Sequence, residues 1–283
     1  MKALLLYNNK AGKGRIARHV SRITEIFRER DIDIRPKAIN FDENPFEGDE
    51  DTELAVVCGG DGTINFVVNK MYDKGLDITL GIIAAGTAND FAGALGVKRG
   101  VLRAAKQIAS GVERRVDCGR VNGRYFVNVL SFGVLTTTSQ QASDKEKHLV
   151  GKLAYLRIGT RDLMTMHRIP VSIKSGEEEV QCDAAMVLVF NGRSAGRFKL
   201  APEATVNDGL LDVLILDYDN MAKTCMSMMH YLIDGKDAKV RYIRSNKIEL
   251  RCDLPEQTDV DGQPGPEFPL SVECLAGHLR IRI

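Results

Sequence analysis

Over the first 113 residues, apolar positions fall into short unbroken runs that alternate with helical periodicity. Ala3 to Tyr7, Leu54 to Cys58 and Ile78 to Ala85 have the pattern of buried parallel strands, and each run is followed by a glycine-containing turn. Beyond the first turn, Ile16, Val20, Ile23 and Phe27 share one helical face; beyond the second, Ile64, Val67, Val68 and Met71 do the same. Ile32 to Ile39 alternates apolar with polar residues and predicts a further strand. The acidic stretch Asp42 to Thr52, with Pro45 and Gly48, predicts a solvated connection. A helix ending near Gly96 and an amphipathic one over Val101 to Gly111 complete the segment. The expectation up to about Glu113 is β-α-β-α-β-α-β-α, a parallel sheet wrapped by helices.

From Arg114 the rhythm changes. Val116 to Val121 and Tyr125 to Leu130 flank Asn122-Gly123, a type I′ hairpin signal. Thr136 to Lys147 is polar and predicts a mobile stretch, and Leu149 to Met166 predicts an amphipathic helix. Strands are expected at Pro170 to Ile173, Gln181 to Asn191, Leu211 to Leu216, Val240 to Arg244 and Lys247 to Cys252, with two more between Leu270 and Ile283. Short strands separated by turn signals predict a β-sandwich. Met221 to Ile233 interrupts as a helix carrying Met226, Met228 and Met229; such a cluster can line an acyl-chain groove, and core filling is the simpler reading.

Composition narrows the class. The 283 residues suffice for two domains, and 44% hydrophobic with 27% charged residues is the balance of a globular chain. A formal net charge of +1 supplies no global field toward nucleic acid or anionic lipid, so any membrane contact must be local. No apolar run approaches the roughly 18 residues of a spanning helix, and the short run in MKALLLYNNK reads as a first strand, so a cytoplasmic protein is expected. Six cysteines without CxxC spacing disfavour zinc and a disulfide framework.

Candidate chemistry lies in the glycine turns. Gly59-Gly60-Asp61-Gly62-Thr63 lets backbone approach a ligand without Cβ interference, and the N–H groups opening the next helix favour an anion such as phosphate. An acid beside phosphate would repel it, so Asp61 points to a metal or a carboxylate relay; an ordinary capped βα turn is the alternative. Gly86-Thr87-Ala88-Asn89-Asp90-Phe91-Ala92 would place Asp90 along the same sheet edge, where open α/β folds bind ligands.

GGDGT followed by GTANDFA resembles the diacylglycerol kinase catalytic domain, specifically the bacterial lipid kinases of a superfamily that includes sphingosine and ceramide kinases. NAD kinases share GGDGT, whereas GTANDFA is specific to the lipid branch. The resemblance implies a Rossmann-like α/β nucleotide-binding domain over 1–114 and a mainly antiparallel β-sandwich over 115–283, with Ser131-Phe132-Gly133 similar to the small turn that opens the second domain. It implies an ATP-dependent kinase acting on a primary hydroxyl of a lipid such as diacylglycerol, with ATP and Mg²⁺. Asn8, Lys10, Gly12, Lys13, Asn40, Gly59, Gly60, Asp61, Gly62, Thr63, Asn65, Thr87 and Lys152 are the nucleotide-binding positions it carries over. Asp61 and Asp90 would organise catalytic Mg²⁺, and Asp261 would accept the substrate proton. Asp208, with the backbones of Thr205 and Leu210, would hold a structural Mg²⁺ in the Asp-Gly-x-Leu-Asp loop.

The chain departs from the family at Asn9, where Pro is usual, at Asn40, where Thr is common, and at Phe66 and Gln263, where Glu is expected. An amide is no base at neutral pH. Expected partners are a lipid substrate at a membrane surface by peripheral contact and no nucleic acid, with a homodimer left open. Lys152, Arg157, Arg161 and Arg168 can touch anionic headgroups or form a solvated face. Phosphatidylglycerol and sphingoid bases present the same hydroxyl, and an NAD kinase or a non-catalytic nucleotide- or lipid-binding relative stays open.

Overall fold

The computed structural model describes residues 1–14, 16–134, 166–196 and 198–283, with the side chain of Lys13 left out. The chain forms two compact units, Met1–Cys118 with Ala276–Ile283, and Gly119–Leu275. The sequence division at 114/115 leaves the last eight residues with the second unit, whereas the final strand carries them into the first.

In the first unit β1 (Lys2–Tyr7), β2 (Asp33–Ala38), β3 (Leu54–Gly59) and β4 (Thr79–Ala84) are parallel in the order β2-β1-β3-β4. Unbroken apolar runs are what strands covered on both faces require. Leu5, Val56, Cys58 and Ile83 bury one face under α1 (Val20–Arg28) and α4 (Val101–Ser110), which contribute Ile23, Phe27, Ala105 and Ile108. The alternate residues Leu4, Leu6, Ala55 and Val57 are equally buried, and α2 (Asp61–Asp73) inserts Ile64, Val67, Val68 and Met71. A short α3 spans Asp90–Ala94.

The strict alternation expected here fails between β2 and β3, where no helix intervenes. That connection is docked rather than solvated. Phe46 is fully buried, Asn44 Nδ2 donates to the Lys70 carbonyl at 2.9 Å, and Asp49 pairs with Arg35 and with Lys37 at 2.9 Å. One aromatic side chain and a two-cation clamp replace the apolar helical face that the acidic segment lacks.

The second unit is the antiparallel β-sandwich. β5 (Glu113–Val121), which begins in the first unit, and β6 (Arg124–Phe126) form the expected hairpin, with Asn122 and Gly123 both at positive φ (45° and 85°) as a type I′ turn demands. Its second arm is not the continuous strand expected over Tyr125 to Leu130. It breaks at Val127-Asn128 and resumes as β7 (Val129–Gly133), so Ser131-Phe132-Gly133 is strand and not turn.

β7, β8 (Ile169–Ser175) and β12 (Leu211–Asp217) all pair with the long β9 (Glu178–Phe190); β10 (Ser194–Ala195) and β11 (Phe198–Lys199) form a small separate ribbon. β13 (Val240–Ser245) pairs with β12, β14 (Lys247–Arg251) with β8, and β15 (Thr258–Val260) with β7 and with β16 (Gln263–Pro264). Leu270 to Arg282 is one thirteen-residue strand, β17, where two were expected; it pairs with β14 over Leu270 to Glu273 and with β4 at Ile281, and it runs through Gly277 at φ 58°. Alternation along β9 sends Val187 and Val189 into one core and Met186, Leu188 and Phe190 into another, which α5 (Met221–Asp234) covers. Asn220 caps α5 by accepting the Lys223 N–H at 3.1 Å, and Gly235 ends it in the left-handed region.

Because the docked connection hangs on one ring, Phe46→Ala is expected to cost about 3–5 kcal/mol of stability in urea unfolding. A loss below about 1 kcal/mol would mean that the segment is solvated after all.

Candidate active site

The register of the parallel strands sets Tyr7 beside Cys58 and Gly59 beside Ala84, so the turns after β1, β3 and β4 leave the sheet at one edge. Backbone hydrogen bonds stitch them together. Asn8 N–H donates to the Cys58 carbonyl at 3.1 Å, Gly12 N–H to Ala85 at 2.8 Å and Ala85 N–H to Gly59 at 2.8 Å. Gly60 and Gly86 approach so closely that a Cβ on Gly86 would lie 2.5 Å from the Gly60 Cα. That approach is backbone against backbone, so no rotamer change would relieve it.

Asp61 opens α2 and joins the second turn to the third. Its carboxylate accepts the N–H groups of Asp90 at 3.2 Å and Phe91 at 3.1 Å. Asn89, at φ 56°, closes the turn by bracketing Gly86, accepting its N–H at 2.7 Å and donating to its carbonyl at 2.8 Å. Burial pushes the Asp61 carboxyl above its ordinary range, and the neighbouring Asp90 charge adds to the shift. Asp90 itself is buried. Two neighbouring acids fit a divalent cation, whose charge relieves their repulsion and which one or two carboxylates plus phosphate oxygens suffice to hold.

The other expected nucleotide positions distribute around this edge. Asn8 Nδ2 donates to Thr63 Oγ1 at 3.2 Å, linking the first turn to α2. Lys10 is exposed, and its N–H donates to Asn8 Oδ1 at 2.9 Å. Gly12 adopts φ 58°, and the backbone of Lys13 lies in the same turn. Gly59 packs against Thr63 so tightly that a Cβ would meet it at 2.5 Å. Gly62 and Thr87 are half-buried in their turns. Asn40 is exposed just past β2, after Ile39 N–H has bonded to the Tyr7 carbonyl at 3.0 Å. Asn65 departs from the group. It is buried within α2, where its Oδ1 accepts from Asn69 at 3.2 Å. Phe66 packs against the exposed Phe41, ring centroids 4.9 Å apart and planes tilted by 54°. Lys152, Arg157 and Arg161 lie outside the described residues, and Arg168 pairs with Asp183 at 2.7 Å.

In the second unit Asp261 does not present a free carboxylate. At φ 52° it turns its side chain onto the break between β6 and β7, accepting Val127 N–H at 2.7 Å, Asn128 N–H at 3.0 Å and Val129 N–H at 2.8 Å. Three backbone donors are the arrangement of a carboxylate that holds a loop, and proton acceptance would have to compete with them. Gln263 is exposed on β16. The buried Asn128 and Asn191 complete this network, the first donating to Ser194 O and the second to Val127 O, each at 3.0 Å. Polar residues inside the apolar runs VNVL and VLVFN were the available signal for them.

The Asp-Gly-x-Leu-Asp loop holds an arginine. Asp208 Oδ2 pairs with Arg244, and Oδ1 accepts the Leu210 N–H at 3.1 Å. The fully buried Asp212 accepts from Tyr242 and forms an ion pair with Arg244 Nε at 3.2 Å. With its charge already met by a guanidinium, Asp208 does not fit a magnesium ion shared with the backbones of Thr205 and Leu210.

Residues 2–121 match the diacylglycerol kinase catalytic domain family, and residues 128–283 match the YegS C-terminal NAD kinase beta sandwich-like domain. The chain is 31% identical over 291 residues to a diacylglycerol kinase of Bacillus subtilis (strain 168), covering 99% of this chain and 95% of that protein. It is 30% identical over 299 residues to a diacylglycerol kinase of Staphylococcus saprophyticus, covering 99% and 94%. A crystal structure assigned as a diacylglycerol kinase from Bacillus anthracis str. Sterne superposes with a TM-score of 0.82 at 26% identity, covering 99% of this chain and 94% of that one.

Asp261→Asn is expected to lower stability by about 2–4 kcal/mol in denaturant, since an amide cannot accept at both oxygens and its NH₂ group opposes a backbone N–H. An unchanged unfolding midpoint would remove the loop-holding role.

Proposed function

The chain belongs to the bacterial diacylglycerol kinase family, and we propose that it is an ATP-dependent lipid kinase that phosphorylates the primary hydroxyl of diacylglycerol or a related amphiphile. The observation that carries the reading is the single sheet edge where three glycine-containing turns meet the Asp61–Asp90 acid pair. Phosphoryl transfer asks a protein mainly for positioning and for charge placed on the phosphate oxygens.

In this reading the N–H groups opening α2 at Gly60, Asp61 and Gly62 receive the nucleotide phosphates, with the turn around Gly12 braced beside them by its bond to Ala85. Thr63, held by Asn8, and Thr87 orient them. Asp61 and Asp90 would hold Mg²⁺, which when bound draws charge from the transferring phosphoryl group. Glycine at 60 and 86 keeps side chains, and the water they would carry, out of the space the phosphates need. Asp261 shapes the loop at Val127 to Val129. No carboxylate stands at position 263, so general-base assistance from that position is absent, and the loose transition state of phosphoryl transfer tolerates late loss of the hydroxyl proton.

Asp61→Ala is expected to lower kcat by at least ~10³-fold while circular dichroism stays unchanged. The assay is transfer of label from ATP to diacylglycerol in mixed micelles, with NAD as a competing acceptor. Full activity in the variant, or labelled NADP in place of labelled lipid, would overturn the assignment.

A pH dependence follows from the raised Asp61 carboxyl. A group with an elevated folded-state pKa keeps its proton at pH values where an ordinary aspartate has lost it, and proton and cation compete for the same oxygens. The Mg²⁺ concentration giving half-maximal activity should therefore rise as pH falls from neutral, beginning above the ordinary carboxylate range. A requirement for Mg²⁺ that does not change with pH over that interval would count against cation binding at Asp61.

A further inference from the structure

We propose that Arg244 is a built-in counter-cation: its guanidinium holds the loop at 204–212 where the family resemblance implies a structural Mg²⁺, so that the second unit keeps this loop in place without a divalent ion. Register puts it there. β12 and β13 run antiparallel with Asp212 opposite Arg244, and directly opposed residues share one face of a sheet. Asp212 is fully buried on that face, so its charge needs a partner supplied from within the fold. Arg244 Nε lies 3.2 Å from Asp212 Oδ1, and Tyr242, two residues along β13 and on the same face, donates its hydroxyl to that same oxygen. The far end of the guanidinium reaches the loop, where Nη2 pairs with Asp208 Oδ2. One planar fork of N–H donors thus joins the carboxylate of a strand to the carboxylate of a turn.

Both oxygens of Asp208 are engaged. Oδ1 accepts the Leu210 N–H at 3.1 Å across a turn made by Gly209 at φ 73°. A second guanidinium meets the other end of the loop, Arg193 Nε donating to the Ala204 carbonyl beside Thr205 at 2.7 Å. Two arginines therefore hold groups of the kind that a hard cation would take, a carboxylate and a backbone carbonyl. Glu203, the other acid near Asp212, is exposed and solvated. Without Arg244, the buried Asp212 would keep only the Tyr242 hydroxyl, since its Oδ2 has no hydrogen-bond partner among the described residues. Two carboxylates left facing each other around a tight glycine turn would then favour a divalent ion in the vacated space. Arginine and ion differ in a property that can be measured: a chelator removes only the ion.

The test is amide hydrogen exchange of the full chain over residues 201–216, read by mass spectrometry in EDTA and in millimolar MgCl₂. In the wild type, exchange of these amides should be the same in both. In Arg244→Met, exchange in EDTA should be at least ~10-fold faster, and MgCl₂ should return most of the protection. Arg244→Lys, which keeps one charge but not the fork, should lie between them, and it carries the comparison if the methionine variant does not fold. Wild-type amides that gain protection from MgCl₂, variants that exchange like the wild type in EDTA, or faster exchange that MgCl₂ does not slow would each overturn the proposal. The readout involves no phosphoryl transfer, so it bears on Arg244 and leaves the kinase reading to its own assay.

Discussion

A single carboxylate ties two of the three glycine turns of the first unit into one object. Asp61 is fixed covalently at the start of α2 and accepts the N–H groups of Asp90 and Phe91 from the following turn. Those bonds close only because Gly60 and Gly86 allow their backbones to approach at a distance that any Cβ would forbid. The level ends of β1, β3 and β4 bring the turns to that distance, and the unbroken apolar runs of the strands hold the ends level. Core packing, turn chemistry and the acid pair are thus links of one chain of causes. The cost is visible at Asp61, whose charge is disfavoured by burial and by Asp90.

Carboxylates organise backbone in the second unit as well. Asp261 terminates one strand and lets another begin by collecting three N–H groups that a continuous hairpin would have paired across the sheet. Asp208 and Asp212 are drawn together by Arg244, a guanidinium able to serve two acids at once. In each case the acid is committed to structure, and its chemistry cannot be inferred from its residue type alone.

The two faces of α5 differ in what they meet. Its inner residues satisfy the core made by Met186, Leu188, Phe190, Leu214 and Leu216, and its capping residues Asn220 and Gly235 delimit it independently of what lies outside. Among the described residues, Met226, Met229 and Ile233 join none of the buried cores.

The order of strands and helices in the first unit, the hairpin at Asn122-Gly123 and the glycine turns were all legible along the chain, because each rests on interactions between residues close in sequence. Periodicity, positive φ at Asn-Gly and the absence of Cβ are local properties, and GTANDFA is specific enough to carry a family resemblance. What the sequence could not determine depends on partners far away. The burial of Phe46 depends on a surface to receive it, the break at Val127-Asn128 on Asp261 more than 130 residues later, and the pairing of Asp208 on Arg244 from another strand. Whether Met226 and Met228 face a core or solvent turns on one helical rotation against a sheet that only the folded chain assembles. Local chemistry therefore chose the elements; tertiary contacts chose which carboxylates were left for function.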